Sequence, residues 1–374
     1  MGEIGLTVKA TRLCNLRCTY CHDWRSGAGH TMSFEVLAHL IHAACTDPHH
    51  KVVSFGWHGG EPLVLPMKFY ETALTLQARY RRPGQLVRNR LQTNATLVTD
   101  EWARFLAREG FGVGVSVDGP RDIHDRTRVG IDGSGSFDKV MEGLGRLRSA
   151  GLSPGILLTV DRDTVALGAE RTFEFLLSIG AASIGFNPVQ PSNSLPAGTA
   201  GDQYLTRAEM TRFLIDMHRC WLAHGDPDVH IRELDSLMAR MDGGMGSTCT
   251  LEGDCVGTFF AVEPNGDIAH CDRFFGEEAY QFGSIMRSDF ARIRRNVKLL
   301  ERRAADAAAA DHRRGCDHFD VCSGGCPQQS FLEARHDPGY ENGCCGRAEL
   351  IEHLAAHPGH PAGISVAFPV RAPA

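Results

Sequence analysis

Three cysteines lie within eight residues near the start of the chain. They are Cys14, Cys18 and Cys21, in the stretch Arg12-Leu13-Cys14-Asn15-Leu16-Arg17-Cys18-Thr19-Tyr20-Cys21-His22. A loop with this C-x3-C-x2-C spacing can set three thiolates around one face of a cubic iron–sulfur cluster. Such clusters usually take four cysteines. Three in one short loop leave an iron without a protein ligand, open to a second molecule. A zinc knot and three unrelated thiols are the competing readings, although zinc sites pair C-x2-4-C with a second, distant pair.

The remaining sequence limits what can surround that loop. The chain has 374 residues, 43% hydrophobic and 22% charged, the balance of a soluble globular protein. This length suits one large domain plus a smaller one. A net charge of −6 supplies no basic field for nucleic acid. No apolar signal segment follows Met1, and no run of about 18 apolar residues suggests a membrane span. Thirteen cysteines therefore point to reduced thiols in a cytoplasm, used for metal, rather than to disulfides. Cys45 and Cys220 stand alone in helical patterns and read as core or bystander thiols.

Strands are expected at residues 4–9, Val52–Phe55, Leu86–Leu91, Val113–Val117, Ile156–Val160 and Ile184–Phe186. Helices fall between them. Ser33 caps the first, with Phe34, Leu37, Leu40 and Ile41 on its apolar face. Others are expected near 66–82, 99–108, 137–150 and 166–178. Strands alternating with helices imply an α/β fold with a parallel sheet. Six units are too few to close an eight-fold barrel, so an open partial barrel is the inference. Parallel sheets place ligands at the carboxyl ends of their strands. The cysteine loop, Gly59-Gly60-Glu61-Pro62, Asn94 and Asp118 all fall there.

The cysteine spacing, with Tyr20 before the last thiol, resembles the radical S-adenosylmethionine (SAM) superfamily and its partial (β/α)6 barrel. The resemblance implies a 4Fe–4S cluster on Cys14, Cys18 and Cys21, its open iron chelated by SAM. It implies that Gly59, Gly60 and Glu61 grip the SAM amino group, with His58 beside them. Two glycines allow close backbone approach, and a carboxylate accepts bonds from an ammonium. Ser116 and Asp118 match a ribose-binding pair, Arg128 an arginine for the SAM carboxylate, and Tyr20 a residue near the adenine. Asn94 ends the third strand of the same site. Reductive SAM cleavage would give a 5′-deoxyadenosyl radical, with an electron from a flavodoxin or ferredoxin.

A second cysteine field comprises Cys249, Cys255, Cys271, Cys316, Cys322, Cys326, Cys344 and Cys345. It resembles the SPASM extension of peptide-modifying radical SAM enzymes, which holds auxiliary 4Fe–4S clusters. The family pattern implies one cluster on Cys249, Cys255, Cys271 and Cys326. For a second it leaves Cys316, Cys322 and Cys344 (or Cys345), with Arg313 where the pattern has a cysteine. An open iron, a ligand such as Cys345, Asp311, His312 or Asp317, and loss of the cluster are the alternatives. Asp272, beside Cys271, matches an aspartate proposed to deprotonate substrate in anaerobic sulfatase maturases. A carboxylate in a dry cavity between clusters is expected to have a raised pKa; an ordinary ion pair is the alternative.

The expected division is a radical SAM barrel over 1–205, a helical bridge over 206–245, a SPASM domain over 246–356 and an irregular tail over 357–374. The expected activity is maturation of a ribosomally made precursor peptide. Trp57-His58-Gly59-Gly60-Glu61-Pro62-Leu63 and Val115-Ser116-Val117-Asp118-Gly119-Pro120 resemble the cyclophane-forming branch, which makes carbon–carbon crosslinks. Formylglycine formation by a sulfatase-type maturase is the first alternative, and a non-catalytic iron–sulfur sensor the second. The chain starts directly with strand one, so the peptide is expected to meet the barrel mouth, the SPASM region or a separate leader-binding protein.

Overall fold

The structure, a computed structural model, describes residues 2–21, 30–191, 196–253, 255–274, 277–340 and 344–359. Strand β1 (Gly2–Thr11) leads into the cysteine loop, then α1 (Phe34–Thr46) and β2 (His50–Gly59). The series continues through α2 (Met67–Tyr80), β3 (Leu86–Thr93), α3 (Asp100–Arg108), β4 (Gly112–Ser116), α4 (Arg121–Thr127) and α5 (Phe137–Ser149). It goes on with β5 (Gly155–Val160), α6 (Arg162–Leu167), α7 (Ala169–Ser178), β6 (Ser183–Pro188), α8 (Arg207–His224), β7 (His230–Ile231) and α9 (Arg232–Met241). The cysteine-rich part holds β8 (Phe259–Val262), β9 (Asp267–Ala269) and β10 (Gln281–Ser284). Its helices are α10 (Phe290–Ile293), α11 (Val297–Asp311), α12 (Phe319–Cys322), α13 (Pro327–His336) and α14 (Ala348–Ala356).

The strands form one open sheet in the order β10-β9-β8-β1-β2-β3-β4-β5-β6-β7. Neighbours from β1 to β7 run parallel. β8 adds to β1 in parallel, Gly5 to Val8 against Phe259 to Val262. The cysteine-rich segment thus continues the sheet and covers what would otherwise be the open edge of β1. Gly5 permits the join, because a Cβ there would sit 2.4 Å from the Phe259 ring.

Ile4, Leu6, Val8 and Ala10 recur at every second residue of β1 and share one buried face, while Lys9 and Thr11 are buried on the other. In α1 the Ser33 side chain accepts from Val36 N, and Leu37, Leu40, Ile41 and Ala44 pack inward. A Thr206–Glu209 capping box starts α8, and left-handed Gly225 stops it.

Some boundaries differ from expectation. β2 runs on through Gly59, with Lys9 opposite His58, because pairing to β1 and the burial of Trp57 hold a stretch whose two glycines weaken its own strand propensity. The helix expected at 166–178 is two helices, broken at Gly168 with φ +90°. The expected tail beyond Gly359 lies outside the described residues. No described helix is long and apolar enough to cross a membrane.

Candidate functional site

The cysteine loop leaves β1 at the carboxyl end of the sheet and is tied down by backbone bonds. Arg17 N donates to Val129 O and Thr19 N to Thr127 O, while Cys21 N closes a turn on Cys18 O at 3.0 Å. Cys14 Sγ accepts from Leu16 N at 3.4 Å, with Asn94 Nδ2 at 4.0 Å. The Asn94 amide also donates to Asn15 Oδ1 at 3.0 Å. Burial pushes the Cys14 thiol up to about 12 and the Cys18 thiol upward. Buried thiols held protonated in this way release their protons when a metal binds.

The second strand's end fits against this loop with no room to spare. A Cβ at Gly59 would lie 2.0 Å from Thr11 O, and one at Gly60 2.2 Å from Leu13 O. Gly60 N donates to Thr11 O and Glu61 N to Leu13 O. Glu61 is 1% exposed. Its carboxylate accepts from Leu63 N at 3.0 Å, Thr93 Oγ1 at 2.7 Å and Asn94 N at 2.7 Å. Burial still raises its pKa.

Tyr20, Asp118 and Arg128 form a buried knot. Tyr20 OH donates to Asp118 Oδ2 at 2.6 Å, and Arg128 Nη1 donates to Tyr20 OH at 2.5 Å. Arg128 lies 3.6 Å from Asp118 Oδ2. Among the described residues Arg128 Nε has no hydrogen-bond partner, so one buried N–H remains for an acceptor. Ser116 Oγ accepts from Gln92 Nε2 at 3.0 Å. Asp118 Oδ1 accepts from Thr159 N at 3.1 Å.

His58 faces the barrel interior. Its Nδ1 accepts from Gly59 N at 2.8 Å and lies 3.2 Å from Lys9 Nζ. Lys9, 1% exposed, also donates to Asp272 Oδ2 at 3.3 Å. Sequence reasoning passed over Lys9. The signal was a lone ammonium in the apolar run Ile-Gly-Leu-Thr-Val-Lys-Ala of a covered parallel strand, where charge is costly unless paired.

Cys249, Cys255, Cys271 and Cys326 are brought together. Burial comes first, with Cys326 second, in raising Cys249 and Cys255. Burial and then Asp272 raise Cys271. Cys255 Sγ lies 3.4 Å from His270 Nε2, and Cys271 Sγ 3.5 Å from Asp272 Oδ1. Cys249, Cys255 and Cys271, from two segments, all lie within electrostatic reach of Cys326 from a third, a set that could serve as a cluster's donors.

The last group differs. Cys345 neighbours Cys322, and that thiol, with the Arg347 charge behind it, holds the Cys345 thiol low. Cys344 Sγ instead accepts from Gly346 N at 3.2 Å. Cys316 N donates to Arg313 O at 3.0 Å. Arg313 is buried, and its guanidinium donates to Gly324 O, Ser330 Oγ at 3.1 Å and Tyr340 OH at 2.9 Å. Engaged by these bonds, Arg313 supplies no thiolate where the family pattern has a cysteine.

Known proteins share both the sequence and the arrangement. Residues 8–168 match the radical SAM superfamily model. A serine-type anaerobic sulfatase-maturating enzyme of Bacteroides thetaiotaomicron is 30% identical over 92% of this chain and 87% of its own length. A cysteine-type enzyme of Clostridium perfringens is 28% identical over 87% of this chain and 89% of its own. The solved structure of anSMEcpe with bound AdoMet superposes with a TM-score of 0.83 at 26% identity, covering 94% and 97% of the two chains. The structure of SuiB from Streptococcus suis with bound S-adenosylmethionine shares the fold, with a TM-score of 0.61 at 14% identity over 90% and 77%. These relatives favour the sulfatase-maturase alternative over the crosslinking expectation. With relatives matched along almost all of both chains, this one belongs to the radical SAM superfamily, as a homologue of the anaerobic sulfatase-maturating enzymes, and is an enzyme of radical chemistry built on a 4Fe–4S cluster and SAM.

Proposed function

We propose that this enzyme oxidises a side chain of a peptide or protein substrate, in the manner of the sulfatase maturases it resembles. Cys14, Cys18 and Cys21 would hold the SAM-binding cluster, and Cys249, Cys255, Cys271 and Cys326 one auxiliary cluster. Bound there, the cofactors would supply a radical that takes one hydrogen atom from substrate, and the auxiliary cluster would accept the second electron of the oxidation once the proton has gone to Asp272.

The chain's own residues do the rest. Gly59 and Gly60 close the backbone onto the cysteine loop and aim Glu61 at an ammonium group. The unpartnered Arg128 Nε suits the SAM carboxylate. Tyr20, Asn94, Ser116 and Asp118 complete the SAM side, and His58 lies at its border with substrate. The part up to about residue 205 supplies these groups, and the part from about 246 supplies Asp272 as proton acceptor.

The observation that carries this reading is Asp272. The cysteine-rich part delivers its carboxylate into the barrel beside Lys9 and His58, next to thiol Cys271. Relatives point to a peptide as substrate: anSMEcpe has been solved with AdoMet and a Kp18Cys peptide. The test is anaerobic incubation with SAM, reductant and sulfatase-type peptides bearing Ser or Cys. An aldehyde on that residue, formed with 5′-deoxyadenosine, is expected. Abundant 5′-deoxyadenosine with every such peptide unchanged would refute the reading.

Crosslinking of a precursor peptide is the second reading. Arg313 favours it, because that guanidinium stands where the maturase pattern has a cluster cysteine. Fragmentation of the product separates the two: a crosslink joins two residues, whereas an oxidation marks one.

A further inference from the structure

Between Arg287 and Arg303 the chain has seven arginines and lysines against two acidic residues, although its overall net charge is −6. Two of the seven turn inward. Arg294 donates to Asp47 Oδ2 at 2.6 Å, and Arg302 Nε to Asp306 Oδ1 at 3.2 Å. Arg292, Arg295, Lys298 and Arg303 are exposed. Among these cations α11 presents Val297 and Leu300, which are 66% and 49% exposed. Ala304, Ala307 and Ala308 prolong that stripe at helical spacing. Of the helix's residues only Leu299 is buried. An apolar stripe inside a charged rim marks an interaction site more often than idle surface.

The inner face of the same helix covers the four-cysteine group. A side chain at Gly257, two residues from Cys255, would touch Leu299. The Arg302 guanidinium lies over the Tyr280 ring at 5.1 Å. A single helix, about 10 Å thick, therefore separates the basic face from the Cys255 side of the auxiliary site.

SAM cleavage in this superfamily consumes an electron from outside SAM. Encounters between electron carriers and their partners bury little area and are steered by charge. A cationic rim on a net-negative enzyme selects a negatively charged partner. We propose that the outer face of α11, with Arg292, Arg295, Lys298 and Arg303 around Val297 and Leu300, docks an acidic electron-carrier protein. This rests on the superfamily's need for an electron and not on which peptide reaction follows.

The experiment uses reconstituted full-length enzyme and an acidic flavodoxin as probe. Binding of oxidised flavodoxin is measured across salt concentrations, and needs no turnover. Arg295→Glu/Lys298→Glu is expected to weaken it about tenfold and flatten its salt dependence. Leu300→Gln is expected to weaken it with the salt dependence kept. Flavodoxin-driven 5′-deoxyadenosine formation should fall in step, while dithionite-driven formation stays at the wild-type level. Wild-type binding by both variants would overturn the proposal. So would loss of affinity for an acidic peptide with flavodoxin binding intact, which would make the face a substrate surface. A wild-type dimer that these variants convert to monomer, with flavodoxin binding kept, would make it a self-association surface and overturn the proposal as well.

Discussion

Lys9 Nζ lies 3.3 Å from Asp272 Oδ2, joining the first strand of the barrel to the turn after β9 by an ion pair whose ammonium is buried and whose carboxylate is partly exposed. Burial alone would raise the Asp272 carboxyl. Lys9 first, then His58 and Arg273, hold it well below the usual carboxylate range instead. The expectation of a raised value is thereby reversed: the carboxylate stands ionised, and its contact with Lys9 must loosen before it can take a proton from substrate. Removing one partner of a largely buried pair leaves the other uncompensated, at a cost of about 3 kcal/mol. Lys9→Met is expected to lower the denaturation midpoint accordingly and to reduce product per SAM cleaved, with Lys9→Arg recovering part of both. Unchanged stability and coupling in Lys9→Met would show that the pair does neither job.

Asp272→Asn keeps the shape and loses the charge. SAM cleavage should persist while peptide product forms more slowly by about a hundredfold or more, the scale of general base catalysis. Quantifying 5′-deoxyadenosine and product in one reaction decides it. Equal product yields would remove Asp272 as a base.

Cys18→Ala takes one of three thiolates from the loop and is expected to abolish SAM cleavage. Retained turnover would contradict the assignment of the cluster to Cys14, Cys18 and Cys21. Cys326→Ser should cost about four irons per chain, because it opens only the auxiliary site.

The hydrogen bonds that hold Arg313 at the place of a family cysteine, to Gly324, Ser330 and Tyr340, lead us to expect two clusters, or about eight irons per chain. Cys322→Ser should leave that number unchanged. About twelve irons, falling with Cys322→Ser, would show that a third cluster assembles despite Arg313.

Glu61 accepts from Leu63 N, Thr93 Oγ1 and Asn94 N. Glu61→Leu strands those donors and should destabilise the fold by about 3 kcal/mol. It also removes the charge proposed to meet the SAM ammonium, so SAM affinity should drop by about tenfold or more. Calorimetry of SAM binding reads the second effect; an unaltered affinity would mean that Glu61 serves only the turn.

His50 offers a stability effect remote from the cysteines. Its Nε2 lies 2.7 Å from Arg294 Nη1 and must accept, so the ring is neutral. Burial first, then the Arg294 charge, lowers its pKa from 6.5 to about 4. The unfolded chain therefore takes up this proton at higher pH than the folded one. The stability this group contributes is present above pH 6.5 and is lost as pH falls towards about 4. The melting temperature of His50→Gln should depend less steeply on pH across that window than wild type.

Much of this was legible in the residues alone. The C-x3-C-x2-C loop, the glycine pair before Glu61 and the alternation of apolar runs with capped helices are local patterns, each dictated by chemistry within a few residues. They were enough for an open α/β barrel with its ligands at the strand ends. The register that places Lys9 opposite His58, the pairing of β8 with β1 and the choice of Cys345 over Cys344 as the neighbour of Cys322 join residues far apart in the chain. No local pattern encodes such meetings, because they follow from how whole elements pack. The sequence by itself determined which chemistry the chain can carry. Only the tertiary structure decided which carboxylate enters the barrel and in what charge state, since burial and a partner ammonium exist only once the two halves share one sheet.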